Sequence, residues 1–198
     1  MEADLSVLET LLTISLGLGL AAACGFRVFV PPLVLSAAGI SGWLELSGAE
    51  WMATWPAFTV FAVATVLEVL AYYVPWVDNL LDTVSTPAAV VAGAVVSFGV
   101  FQGMDPTLEF VLAAVGGGGT AALSHGAMAL TRSVSSVTTG GIANPLVATA
   151  ELGGAVGVSV LSILAPIFGV VVFLVLLVAL ALMLRRVRGQ EEGAAAIA

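Results

Sequence analysis

GLGLAAACGFRVFVPPLVLSAAG, residues 17–39, carries a single charge, Arg27, and two adjacent prolines, Pro31 and Pro32. The apolar run around it is longer still, because between Thr10 and Leu44 Arg27 remains the only charged residue. A bilayer span needs roughly 20 mostly apolar residues, so this stretch reads as a membrane helix that is broken near Pro31-Pro32. Proline has no N–H to donate to the carbonyl four residues back, here that of Arg27. Backbone groups freed inside a membrane must be satisfied by protein or by a water-lined cavity.

The rest of the chain repeats the pattern. Glu68 is the only charge between Trp51 and Val77, and Arg132 and Glu151 are the only ones between Phe110 and Leu184. Of the 198 residues, 60% are hydrophobic and 9% charged, and the mean hydropathy is +1.15. A soluble domain is closer to 45–50% apolar and about 25% charged. The fold class is therefore an all-α membrane protein of about six transmembrane helices. These are expected at 8–38 (broken), 53–73, 87–101, 107–131, 145–164 and 166–184, in one domain over 1–188 with a disordered cytoplasmic tail at 189–198. The acidic start MEADLSVLE lacks the positive n-region of a signal peptide, so the first run is expected to stay as a span.

Pro87, Pro145 and Pro166 suit first helical positions, with Thr86 and Asn144 as N-caps before two of them. Pro75 marks a further break. Arg185, Arg186 and Arg188 follow the last apolar run, which sets the C-terminus in the cytoplasm of a cell (inner or plasma) membrane. Six spans would put the N-terminus there too. Three helices plus three would be compatible with an inverted repeat, and the overlay of TVLEV (65–69) on TAELG (149–153) matches Glu68 with Glu151.

Charges at membrane depth usually pair or line an aqueous path. The simplest arrangement pairs Arg27 with Glu68, and Arg132 or His125 with Glu151. His125 and Arg132 are seven residues apart, nearly two helical turns, and so share a face. Histidine is the residue type that exchanges a proton near neutral pH. Asp78 and Asp82, four apart, would share a face just before the third helix, as dipole-stabilising residues or as a cation-attracting mouth. TTGGIANP (138–145) reads as a flexible loop entering a helix N-terminus. There Gly140 and Gly141 would let the backbone approach a ligand, and Asn144 and Pro145 would open the next helix.

GLGLAAACGFRVFVPPLVLSAAG (17–39), WPAFTVFAVATVLEVLAYYVPWVDNLLDTV (55–84) and SSVTTGGIANPLVATAE (135–151) resemble a family of bacterial integral membrane proteins described as a domain of unknown function. The resemblance covers almost the whole chain. It singles out Arg27, Glu68, Pro75, Asp78, Gly140, Gly141, Asn144, Pro145 and Glu151, and it brings no activity with it.

Two functions remain open. One is a small secondary transporter or channel, which moves an ion or small solute along a path lined by Arg27, Glu68, Asp78, Asp82, His125, Arg132, Gly140, Gly141, Asn144 and Glu151. Six short helices enclose little, so a homo-oligomer is expected. The other is a non-transporting partner that stabilises another membrane complex through its glycine-rich faces. An enzyme is not expected: one histidine, one cysteine and scattered carboxylates make no metal set, and no nucleotide or zinc motif is present. No cofactor is expected. The net charge of −8 argues against nucleic acid as a partner, leaving the lipid bilayer and the solute.

Overall fold

The computed structural model of the chain describes the backbone of residues 2–46, 48–73, 75–101 and 104–195, and the side chains of these apart from 2–6, 75–83, 180, 183, 184 and 186–195. The described residues form helices α1 (Glu2–Phe26), α2 (Val30–Ile40), α3 (Trp55–Ala71), α4 (Pro75–Val100), α5 (Pro106–Val111), α6 (Gly118–Thr139), α7 (Asn144–Leu164) and α8 (Ile167–Ala195). A 3-10 turn, Glu50–Ala53, precedes α3, and a π-helical turn, Leu112–Gly117, joins α5 to α6. Three stretches, Val7–Phe26, Pro106–Thr139 and Asn144–Leu164, are long and apolar enough to cross a membrane. Val30–Ile40, Trp55–Ala71, Val84–Val100 and Ile167–Ala179 are shorter apolar helices. The chain is thus an all-α, multi-spanning membrane protein. Apolar side chains such as Val60, Val63 and Leu67 on α3 and Val171, Val175 and Val178 on α8 face outward, as a lipid solvent requires.

The sequence of α1 explains its place in the fold. Its consecutive residues Ala21, Ala22, Ala23 and Cys24 are all fully buried, the mark of a helix enclosed on every side. It packs against α4, α6, α7 and α8. A Cβ at Gly17 would meet the ring of Phe101, at Gly19 the Ser162 side chain and the backbone of Gly169, and at Gly25 the backbone of Ala121 and His125. Small residues are what allow membrane helices to approach this closely.

The chain reverses after α1. Phe26 lies against Gly154 and Gly19 against Ser162, so α1 runs antiparallel to α7. Further along, Val34 and Ser41 line one cavity with Val160 and Leu164, whereas Arg27 bonds Ala148, so α2 runs parallel to α7. The first apolar run is therefore a helical hairpin and not one kinked span. The break also falls earlier than the prolines suggest, at 27–29, with Pro31 and Pro32 inside the first turn of α2. There their missing N–H groups leave no helical bond unmade. Both termini lie on one face only if 8–38 crosses once. With the reversal, the Val7 end of α1 points toward the side of the 41–54 connection, away from the Gly140 turn.

Three other boundaries differ from the sequence reading. The helix expected from Pro87 starts at Pro75 and carries Pro87 in its interior, so neither proline breaks the chain within this element. The helix expected to end at Thr131 continues to Thr139 through serines and threonines that return hydrogen bonds to their own helix, as Thr138 Oγ1 does to Val134 O and Thr139 Oγ1 to Ser135 O. The last helix extends past Leu184 to Ala195.

Candidate functional site

The break at 27–29 leaves backbone groups that other helices satisfy. The carboxylate of Glu68, on the last turn of α3, accepts from the N–H of Val28 (2.8 Å) and of Phe29 (3.1 Å). Glu68 thus serves as the N-terminal cap of α2, supplied from a different helix. The N–H of Phe29 would otherwise serve the carbonyl of Gly25, which contacts Nδ1 of His125 at 3.2 Å instead. A proton on Nδ1 makes this a hydrogen bond donated by the imidazole.

Arg27 turns the other way. Its side chain is 1% exposed, and its Nη2 donates to Ala148 O on α7 (2.8 Å) and lies 3.5 Å from Glu151 Oε2. Glu151 is held mainly by Arg132 of α6, in a bidentate pair of 2.9 Å from Nε to Oε1 and 2.5 Å from Nη2 to Oε2. Both guanidiniums also stand against the ring of Tyr72, with their central carbons 3.9 Å (Arg27) and 4.3 Å (Arg132) from its centroid. Such cation–π contacts are worth about 2 kcal/mol or more when desolvated. Tyr72 is itself fixed by a hydrogen bond between its hydroxyl and that of Ser85, 3.2 Å.

The expected pairing of Arg27 with Glu68 is replaced by a different one. Two arginines share Glu151, and Glu68 bonds to backbone. Glu68 and Glu151 echo each other in sequence position but not in role. His125 does not bond Glu151; it sits at the end of α1, two turns away along α6. Gly140 and Gly141 both have positive φ, 63° and 87°. They close a tight turn between α6 and α7 in which an added Cβ at Gly140 would meet nothing. The polar segment is thus a helix terminus and a short connection, and the flexible loop expected over 138–145 is shortened because α6 runs to Thr139. Asn144 is the first residue of α7, preceded by Ala143 as N-cap, and its side chain bonds Ser136 of α6 (3.1 Å). The side chains of Asp78 and Asp82 lie outside the described residues.

Tyr72 is the residue that sequence reasoning missed. An aromatic near a cluster of buried charges was the available signal, but only the fold brings residues 27, 72, 132 and 151 together. Among the described residues, the buried polar atoms without a hydrogen-bond partner include Nε and Nη1 of Arg27, Nε2 of His125 and Oγ of Ser135, together with the hydroxyls of Thr65 and Ser162. Beside the break, an apolar cavity of about 510 Å³ is lined by Val28, Phe29, Pro32, Trp51, Phe61 and Pro87 among others, none of them charged. No group of three metal-ligating side chains occurs among the described residues.

Residues 14–186, which include every member of this cluster, match a family described as a domain of unknown function, DUF4126. The chain belongs to that family. No curated protein and no solved structure matches it.

Proposed function

We propose that this DUF4126 protein is a small secondary transporter or channel for an ion or small solute. The observation that carries the reading is the buried cluster at the α1–α2 reversal. Ionisable groups enclosed within a membrane bundle are functional candidates by default, because their burial is costly. Arg27 adds a specific reason: a guanidinium has five N–H donors, and here only one of its three nitrogens is bonded. A purely structural ion pair has no use for open donors at a buried position. The interrupted α1–α2 hairpin suits this role, since transporters bind solutes where helices are broken. The protein acts without a cofactor and without catalysis in this reading.

In the topology we assign, the arginine-bearing end of α8 lies in the cytoplasm and the cluster sits toward that face. Arg27 and Tyr72 directly follow the ends of α1 and α3. Trp43, Trp51 and Trp55 are all exposed at the opposite end, where tryptophan anchors a membrane–water interface. A three-plus-three inverted repeat of six crossings would need α1 and α2 to act as one leg, and their reversal argues for counting them separately.

The test is flux into proteoliposomes, with a panel of ions and a pH-sensitive dye, for wild type beside Glu151→Gln. Specific flux lost in the variant supports the reading. Absence of flux from folded wild-type protein overturns it.

One observation favours a second reading, a non-transporting partner in a membrane complex or a homo-oligomer. Gly153 and Gly157 form a GxxxG pair on α7, and an added Cβ at either would meet nothing among the described residues. That face is open to another helix. Co-purification of a second membrane protein, without flux, would favour it.

A further inference from the structure

We propose that Arg27 and Arg132 form a receptor for a small planar oxyanion of the carboxylate class, and that the Glu151 carboxylate is the tethered anion holding its place. For its biological use this inference rests on the transport reading, for which it supplies the substrate class.

Two guanidiniums arrive from different parts of the fold, Arg27 from the α1–α2 break and Arg132 from α6. Both aim Nη2 at the same oxygen, Glu151 Oε2, from 3.5 and 2.5 Å. The Tyr72 ring stands against both. What they hold is a carboxylate, so the geometry already selects a planar anion with two oxygens, matched to the guanidinium fork. Arg132 grips Glu151 in a bidentate pair, but Arg27 touches it through one nitrogen only. Nε and Nη1 of Arg27 are shielded from solvent and have no partner. A free anion is not constrained by the reach of a side chain from α7. It can move toward Arg27 and accept from Nε or Nη1 alongside Nη2.

The occupant must replace Glu151 and not join it, because a second negative charge beside a buried carboxylate would repel it. Displacement requires the buried Glu151 side chain to leave its bidentate pair with Arg132. A tethered carboxylate is an intramolecular competitor at high effective concentration. Wild-type affinity for the free anion is therefore weak, and removing the tether raises it.

The experiment is equilibrium binding of radiolabelled formate to purified protein in detergent, for wild type, Glu151→Ala, Glu151→Gln and Arg27→Gln/Glu151→Ala. Each variant is checked for a monodisperse, helical state. The expected result is saturable binding to wild type, at least ~10-fold tighter in Glu151→Ala, tighter also in Glu151→Gln, and reduced at least ~10-fold when Arg27 is replaced. If the Glu151 variants fail to fold, wild type and Arg27→Gln decide: saturable binding that Arg27→Gln removes supports the receptor. Formate binding by neither wild type nor folded Glu151→Ala, or binding indifferent to Arg27, overturns it. Formate binding without flux keeps the receptor and removes the transport reading. Flux of a cation without formate binding does the reverse.

Discussion

Glu68→Ala would remove both acceptors from the N-terminus of α2. The two bonds, 2.8 and 3.1 Å, run from the backbone N–H groups of Val28 and Phe29 to the carboxylate of Glu68, a residue 7% exposed. Hydrogen bonds to charged groups are worth about 1.5–3 kcal/mol each, which gives about 3–6 kcal/mol for the pair. Two effects lower the figure. Interhelical hydrogen bonds in membranes average only about 0.6 kcal/mol, since the unfolded chain in the bilayer also finds partners. The break could also rewind, offering Val28 and Phe29 the carbonyls of Cys24 and Gly25. His125 already occupies Gly25 O, so rewinding recovers one bond more easily than two. The expected cost is about 3 kcal/mol, roughly a hundredfold in the folding equilibrium. Glu68→Gln, whose amide oxygen can still accept one bond, should cost about half as much. Unfolding by SDS titration in mixed micelles measures the energy, and amide hydrogen exchange at Val28 and Phe29 measures the local opening. An alanine variant within 0.5 kcal/mol of wild type on this ~3 kcal/mol scale, with unchanged exchange at both amides, would refute the capping role.

Double-mutant cycles should give about 2–4 kcal/mol of coupling between Arg132 and Glu151, and less than about 1 kcal/mol between Arg27 and Glu68. Strong coupling in the second cycle would instead restore the direct pair that the sequence suggests. Gly25→Ala, whose Cβ would meet the backbone of Ala121 and His125, should destabilise by about 2 kcal/mol. Gly153→Ala, facing open space, should stay within about 0.5 kcal/mol in the same titration, unless that face docks a partner. Tyr72→Phe keeps the ring against the guanidiniums and loses the bond to Ser85, at about 1 kcal/mol. Tyr72→Leu should cost about 2 kcal/mol more, and equal losses for the two variants would remove the cation–π contribution.

The sequence by itself determined the solvent. Apolar runs interrupted only by Arg27, Glu68, Arg132 and Glu151 admit no soluble packing, and the helical class follows because a chain in lipid must satisfy its own backbone. The same scarcity of charge made the site residues legible, for a charge in such surroundings needs a partner. Sequence also located a break in the first apolar run, since Pro31 cannot continue a helical ladder.

The partners were decided by the tertiary structure. A free carbonyl or N–H in a helix does not say which carboxylate will reach it, so Glu68 could be read as a mate for Arg27 when it is a cap for Val28 and Phe29. A kinked helix and a helical hairpin share one hydrophobic pattern, because hydropathy has no direction. Only the packing of α1 and α2 along α7 in opposite directions separates them. The convergence of Arg27, Tyr72 and Arg132 around Glu151 rests on that reversal, which returns the chain at the level where α3, α6 and α7 carry their polar residues.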